Sequence, residues 1–315
     1  MLTESNGYTK CFSELFFLSH TCKLPLLLSI FWDPPREAFV IPVIDLPIYW
    51  YSLFFACGFL LAYFLVAHLI FQFSTQHCCT SSLEINQIKS LKKESYAFAD
   101  RLAWYLFIGM LIGARLGHVF FYDWDYFSQH LFEILMTRKG GLASHGAAIG
   151  IFIALTLFWK FNAKKISRLS WQKVLDFLAM GASLCGGFIR IGNFFNQEIL
   201  GTQSDLPWAV VFGHPQDIQT LTSCHPVQLY EASFYFLIFG ILYAFSRTCG
   251  KNVKDGFICG LFLTSVFTFR FFVEWLKLPQ EAVPMDFLQM GQLLSLPFVG
   301  FGIYLLVRAS CKTRS

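Results

Sequence analysis

The sequence predicts an all-α polytopic integral membrane protein with seven transmembrane helices. Of its 315 residues, 55% are apolar and only 14% are charged, and the mean hydropathy is +0.52. This composition is far too apolar for a soluble domain of this length. The apolar residues are grouped in windows of roughly 20, the length that crosses about 30 Å of hydrocarbon. Lysine and arginine are concentrated in alternate connections between these windows.

Each of the seven windows is predicted to form one membrane-spanning helix. They lie near residues 48–72, 98–121, 142–159, 174–193, 228–246, 256–276 and 286–307.

The windows also predict how the chain is organised. Residues 1–46 are expected to be an N-terminal extension with an interfacial segment, and residues 47–310 the seven-span domain. The outer loop 194–227 is long enough to form a small folded element or a lid, and residues 311–315 form a short tail.

The apolar stretch 11–32 leaves one alternative open. No Ala-x-Ala cleavage site follows it, so a cleaved signal peptide is not expected. If this stretch crossed the membrane, the chain would have eight spans and would begin inside.

The basic residues predict the orientation, because cytoplasmic loops carry an excess of lysine and arginine. The linkers 73–101, 160–173 and 247–255 and the C-terminal tail together hold 15 of the 24 basic residues. The opposite side holds six, and the loop 194–227 has none. This distribution indicates an odd number of spans, with the N-terminus outside and the C-terminus in the cytoplasm.

Three arginines remain, and each lies within or at the end of an apolar window: Arg115, Arg190 and Arg270. A charged side chain at bilayer depth costs about 2.5–3.5 kcal/mol, so such groups usually mark a polar site.

The cysteines suggest no separate chemistry. All ten are scattered, without a Cys-x-x-Cys pair or a Cys/His cluster at zinc spacing, so neither a disulfide framework nor a metal site is predicted. Cys224 in the outer loop could be reactive, although a lone cysteine beside a helix start is more often inert.

The densest polar cluster is Arg190-Ile-Gly-Asn-Phe-Phe-Asn-Gln-Glu198. Arg190 and Asn193 are three residues apart on one helix face and can address one ligand, and Gly192 between them permits close packing. A guanidinium binds phosphate oxygens in a fork, which suits an anionic lipid head group. Glu198 could hold the arginine or take up a proton. Alternatively, Arg190 extends to the interface and Glu198 is solvated.

A second charged pair lies on the sixth window. The i, i+4 spacing of Arg270 and Glu274 places them on one stripe, where they could neutralise each other. Arg270 could instead be directed at the same pocket as Arg190 and help to neutralise a phosphate as its ester bond breaks.

The segment from His225 to Glu231 has proline at the first position of a helix, which is also a possible anion site. His145 opens the third window, either as a general base or as a satisfied polar group. Arg115 lies between small residues, with a structural role as open as substrate binding. Tyr51 fits an aromatic belt.

Together these motifs resemble the phosphatidylglycerol–prolipoprotein diacylglyceryl transferase family over roughly residues 31 to 307. The matching motifs, in order, are Trp50-Tyr51, Gly113-Ala-Arg115 with Phe121-Tyr122, Gly140-Gly141 with His145-Gly146, Arg190 to Glu198, His225-Pro226 with Gln228 to Glu231, Arg270 with Val273-Glu274, and Met290-Gly-Gln292.

The resemblance implies a seven-span enzyme of the bacterial inner membrane with the same orientation as the charges indicate. It also implies transfer of an sn-1,2-diacylglyceryl group from phosphatidylglycerol to the lipobox cysteine of a preprolipoprotein, with formation of a thioether and release of glycerol phosphate. No metal or soluble cofactor is expected.

The resemblance assigns roles to individual residues. Arg190 and Arg270 are expected to bind the phosphate, and His145 to act as a base or an essential polar contact. Glu198, Glu231 and Glu274 would position the arginines or relay protons. Tyr51 matches an important family position and is expected to be a catalytic residue. Contacts with phosphatidylglycerol are expected, besides the two arginines, at Asn193, Gly201, Arg115, Glu231 and Glu274.

The chain departs from the family pattern at four positions. Ala147 replaces a glycine, Ile189 a small residue, Gln197 a common glycine and Cys224 an arginine before His-Pro. None of these changes removes a proposed catalytic group.

Two other functions fit parts of the pattern. A transporter or channel could use the arginines as an anion path, but this predicts polar residues along several full spans, whereas here they cluster near span ends. A different lipid-modifying transferase acting on phosphatidylglycerol is the other alternative.

Overall fold

The structure is a computed structural model that describes nine segments of the chain: residues 30–43, 45–77, 84–135, 143–163, 165–166, 169–216, 222–249, 254–278 and 289–311. Most of the N-terminal extension, including residues 11–29, therefore lies outside the described residues, as do Gly140, Gly141 and the end of the tail.

The described residues form seven long helices, one at each predicted window. They are α1 (Trp50–Gln76), α2 (Ile85–Phe121), α3 (Ser144–Asn162), α4 (Trp171–Phe195), α5 (Val227–Cys249), α6 (Phe257–Val273) and α7 (Met290–Cys311).

Six of these helices are long and apolar enough to cross a membrane, and the third predicted span is shorter. Its apolar part, Gly146–Asn162, belongs to the class of 10–17 residues. The helical multi-pass architecture is therefore confirmed, whereas the seventh span and the orientation of the termini stay predictions.

Helix α2 begins well before the apolar window that predicted it. Its first turns are polar, with exposed Lys89, Lys92 and Lys93. At its start the Gln87 side chain accepts a hydrogen bond from the Glu84 backbone N–H at 3.3 Å. This bond satisfies one of the backbone N–H donors that a helix start leaves free. It therefore supports a helix start that lies well before the hydrophobic segment.

Five short strands lie outside the helices, and the sequence analysis did not predict them. Strand β1 (Ile30–Trp32) pairs in parallel with β4 (Val210–Phe212), which pairs antiparallel with β5 (Ser223–Cys224). Strands β2 (Glu37–Ile41) and β3 (Leu46–Tyr49) form an antiparallel hairpin directly before α1.

The described residues of the loop 194–227 include a small folded element with a buried cluster of its own. Its buried cluster comprises Phe194, Leu200, Val210, Phe212 and Cys224, with Trp32 packed against it. The Trp32 ring lies 4.7 Å from that of Phe194, measured between centroids. Trp32, which precedes α1, therefore contributes to the core that the loop forms.

The chain divides into two compact units. The first comprises residues 1–56, 186–236 and 266–298, and the second residues 57–185, 237–265 and 299–315. All the described strands lie in the first unit.

In the second unit, helices α2 and α3 pack backbone against backbone through glycines. A Cβ added at Gly150 would lie 2.9 Å from the Gly113 Cα, and one at Gly117 would lie 2.6 Å from the Gly146 Cα. Real Cβ atoms essentially never approach backbone so closely, so only glycine fits. Small residues are what allow helices to pack closely in a membrane, as the sequence predicted around Arg115.

We predict that Gly150→Ala weakens this helix pair, because its new methyl group has no space between α2 and α3. Overpacking of this kind costs about 1–3 kcal/mol. The measurement is the midpoint of thermal unfolding of the purified protein in detergent. Gly240→Ala is the matched control, since nothing lies within 4 Å of a Cβ at Gly240. Equal midpoints for the two variants would contradict the close packing.

Candidate active site

The polar residues of the first unit come together where α4 ends, α5 begins and α6 ends. Phe234 on α5 stacks on Phe269 of α6, with ring centroids 3.9 Å apart and planes at 3°. Phe234 lies three positions after Glu231, and Phe269 lies one position before Arg270. Their stacking therefore brings the predicted glutamate and the second predicted arginine into the same region.

Arg190, on the last turns of α4, is held from two directions. Its Nε lies 3.1 Å from Glu231 Oε2, and its Nη1 donates to Asn193 Oδ1 at 3.3 Å. The predicted i, i+3 relation with Asn193 is thus a direct contact. Glu231 is only 2% exposed, so its charge requires such a partner. Among the described residues, no hydrogen bond of Arg190 uses Nη2.

Glu198 holds Asn193 rather than the arginine itself. Asn193 Nδ2 donates to Glu198 Oε1 at 2.6 Å, and the Gln228 side chain donates to the Glu198 backbone carbonyl at 2.7 Å. Glu198 therefore acts on Arg190 through the asparagine, and the arginine's direct carboxylate partner is Glu231.

The chain turns sharply at Glu198, because both of its neighbours have positive φ angles. Gln197 has φ 54° and Ile199 has φ 58°, a conformation that non-glycine residues rarely adopt. This backbone explains why the resemblance expects glycine at the position of Gln197. Here the strain is offset by the side chain, which is fully buried and accepts from the His214 N–H at 2.8 Å.

The same glutamine connects the turn to Asp33, which the sequence analysis did not single out. Gln197 Nε2 donates to Asp33 Oδ1 at 3.2 Å, and His214 Nδ1 lies 2.7 Å from that oxygen. Burial raises the pKa of Asp33, but the hydrogen bonds of His214 and Gln197 outweigh it and hold the pKa below its ordinary value of 3.8. Asp33 is therefore ionised at neutral pH and anchors the turn.

Lys277 is the main site residue that sequence reasoning missed. Its Nζ lies 3.1 Å from Glu231 Oε1 and 3.0 Å from Glu274 Oε2, and the residue is 5% exposed. In the sequence, Lys277 was one of the six basic residues assigned to the side opposite the cytoplasm. Its spacing of three residues after Glu274 was the available signal, since side chains three apart on a helical turn can meet.

Arg270 is not neutralised by Glu274 in the way the i, i+4 spacing suggested. Glu274, in the 3-10 helix Glu274–Leu276 that follows α6, gives its carboxylate to Lys277. Arg270 forms no ion pair with any side chain in the described part of the chain.

Two glycines allow neighbouring segments to pack closely together at the site. Gly192 lies between Arg190 and Asn193, where close packing was predicted. A Cβ at Gly192 would lie 3.0 Å from Tyr51 Cδ2, so the glycine lets the first turn of α1 pack against α4. A Cβ at Gly201 would lie 2.7 Å from His225 Cβ. Gly201 also pairs with Lys277 through an isolated antiparallel bridge.

At the start of α5, polar side chains bond to one another. The Trp208 indole N–H donates to the Tyr230 hydroxyl at 2.7 Å, and His225 Nδ1 lies 3.3 Å from the same oxygen. Burial raises the pKa of the nearby Cys224 thiol, which is 2% exposed. A thiol with a raised pKa stays protonated at neutral pH, as expected of an inert cysteine.

Two predicted residues belong to the second unit. Arg115 is buried and donates from Nε to the Ile134 carbonyl at 2.8 Å and from Nη2 to the Glu133 carbonyl at 2.7 Å. These bonds hold the segment after α2, and a substrate contact of Arg115 stays a prediction. His145 lies in the first turn of α3, but its side chain is outside the described residues, so its role as a base is also still a prediction.

Comparisons with known proteins identify the family of the chain. Residues 38–308 match a family model described as "Prolipoprotein diacylglyceryl transferase". Three relatives are named phosphatidylglycerol–prolipoprotein diacylglyceryl transferase. The protein of Protochlamydia amoebophila is 38% identical over 89% of this chain and 94% of its own length. That of Tolumonas auensis is 39% identical over 88% and 96%, and that of Chlamydia pneumoniae 34% over 90% and 97%.

Proposed function

The chain belongs to the prolipoprotein diacylglyceryl transferase family, and we propose that the cluster around Arg190 and Arg270 is its active site. The protein is a multi-pass membrane transferase that moves a diacylglyceryl group from phosphatidylglycerol to prolipoproteins. The alternative of an anion or lipid transporter is not favoured, since the three relatives are transferases by name.

The finer chemistry is part of the proposal. The acceptor is the lipobox cysteine, whose thiolate sulfur attacks the phosphate-bearing carbon of the diacylated glycerol, not that of the head-group glycerol. A C–S bond forms, the C–O bond breaks, and the electron pair of that bond leaves with the phosphate oxygen as glycerol phosphate. The thiol proton goes to a base, for which His145 is the candidate. Because the leaving phosphate gains negative charge, cations placed beside it stabilise the transition state.

One observation carries this proposal: two arginines lie at the site, and within the described residues neither has all of its guanidinium N–H donors bound by the protein. Arg190 gives its Nε edge to Glu231, and its Nη2 makes no hydrogen bond in the described part of the structure. Arg270, unlike Arg190, has no carboxylate partner in the described part of the structure. A guanidinium can therefore present a fork to phosphate oxygens, with Asn193 beside it, held by Glu198.

We also propose the setting in which this site works. In this proposal the protein crosses the bacterial inner membrane seven times, with its N-terminus outside and its C-terminus in the cytoplasm, and the distribution of basic residues supports this orientation. The polar end of α4 and the loop 194–227 then face the outer side, where secreted prolipoproteins emerge.

The direct test is reconstitution of the full chain in phosphatidylglycerol vesicles with a lipobox peptide. We expect the peptide mass to increase by one diacylglyceryl group. A peptide with serine in place of the cysteine, and vesicles of phosphatidylcholine, should give no product. If the folded protein produces no mass increase on the cysteine peptide, the proposed function is wrong.

A second prediction concerns the geometry of phosphate binding. Arg190→Lys keeps the charge but cannot donate along two directions from one plane, so kcat/KM should fall by at least about tenfold, the value of one charge-assisted hydrogen bond. The exposed Arg247, on the last turn of α5, supplies the matched control Arg247→Lys. Near-normal turnover by Arg190→Lys would argue against a bidentate contact.

A further inference from the structure

Lys277 is a buried cation to which the proposed reaction, as described so far, assigns no role. Its ammonium group lies between Glu231 and Glu274, 3.1 Å from one carboxylate and 3.0 Å from the other. Burying an ammonium group requires compensation by partners of opposite charge, and these two carboxylates supply it. The lysine is therefore a fixed part of the charge arrangement rather than a mobile surface group.

The backbone around Lys277 is fixed as well. The Thr202 N–H donates to the Leu276 carbonyl at 2.8 Å, and the Leu278 N–H donates to the Leu200 carbonyl at 3.0 Å. These two bonds flank the bridge between Gly201 and Lys277. The folded outer loop and the end of α6 thus hold the lysine from both sides, which limits how far its ammonium can move.

From these contacts we infer that Lys277 is a positioning residue that keeps the two arginines available for the phosphate of phosphatidylglycerol. The inference rests on the proposed function of this site. Glu231 uses one carboxylate oxygen for Arg190 and the other for Lys277. Among the described residues, the ion-pair partner of Glu274 is Lys277 and not Arg270.

The charges explain why the lysine matters. The site combines three cations, Arg190, Arg270 and Lys277, with the three carboxylates of Glu198, Glu231 and Glu274. With all six groups ionised the site is neutral, and without the ammonium it carries one excess negative charge. In a medium of low dielectric constant, that excess repels a phosphate strongly. The released carboxylates could also occupy the guanidinium N–H groups that the phosphate needs.

The test measures binding of short-chain phosphatidylglycerol to the purified full chain in detergent, without peptide, together with its thermal stability. In Lys277→Gln the side chain remains polar but has no charge. We expect its dissociation constant to rise by about tenfold or more, as when one partner of a buried charge pair is removed. Lys277→Arg, which restores the cation, should bind close to the native level.

A double variant separates positioning from simple stabilisation. Lys277→Gln combined with Glu274→Gln removes one charge of each sign, so it should bind phosphatidylglycerol more tightly than Lys277→Gln alone. A purely structural lysine predicts no such recovery. If Lys277→Gln cannot be purified folded, the double variant and Lys277→Arg decide: both should bind with near-native affinity, and weak binding by the double variant overturns the inference.

Other outcomes are equally clear. Native affinity in folded Lys277→Gln overturns the role of Lys277, as does a double variant that binds no better than the single one. If the native protein binds phosphatidylglycerol but does not modify the lipobox peptide, the proposed transfer is wrong while the inference on binding is still tested. If it does not bind the lipid at all, both are overturned.

Discussion

The site depends on a single carboxylate, that of Glu231, shared between Arg190 and Lys277. Each of its oxygens lies 3.1 Å from one of the two cations, and the residue is only 2% exposed. An ionised group so buried is tolerated only when its partners are in place, so the three side chains fix one another. The rest of the first unit supports this arrangement. The Phe234–Phe269 stack sets α5 against α6, and Gly192 and Gly201 let α1 and the start of α5 approach.

This arrangement suits a reaction in which a phosphate ester leaves. The cations are in position before the substrate arrives, and preorganised charges require no rearrangement when charge develops in the transition state. Arg190 is oriented by Glu231 on one edge and by Asn193 on the other, and Asn193 is in turn held by Glu198. The Gln197 side chain fixes the strained turn that delivers Glu198, through Asp33 and His214.

The sequence predicted the helices well, because a run of about 20 apolar residues is a strong and local signal. It also identified Arg190, Asn193 and Arg270 as polar groups in apolar surroundings. It could not predict β1 and β4, which have three residues each and pair across a separation of 180 positions in the chain. Lys277 was missed for a related reason: one of its two carboxylate partners, Glu231, lies on α5, 46 positions away in the chain. Partners of this kind are set by tertiary packing, which local spacing does not report.

The most direct measurement for the shared carboxylate is the turnover of Glu231→Gln, which keeps the size of the side chain but removes its charge. If Glu231 orients Arg190 for the phosphate, kcat should fall by at least about tenfold while the helical circular dichroism is retained, since small misplacements of catalytic groups are costly. Glu94→Gln, an exposed glutamate on the polar start of α2, should leave turnover unchanged. Native turnover in folded Glu231→Gln would contradict the account.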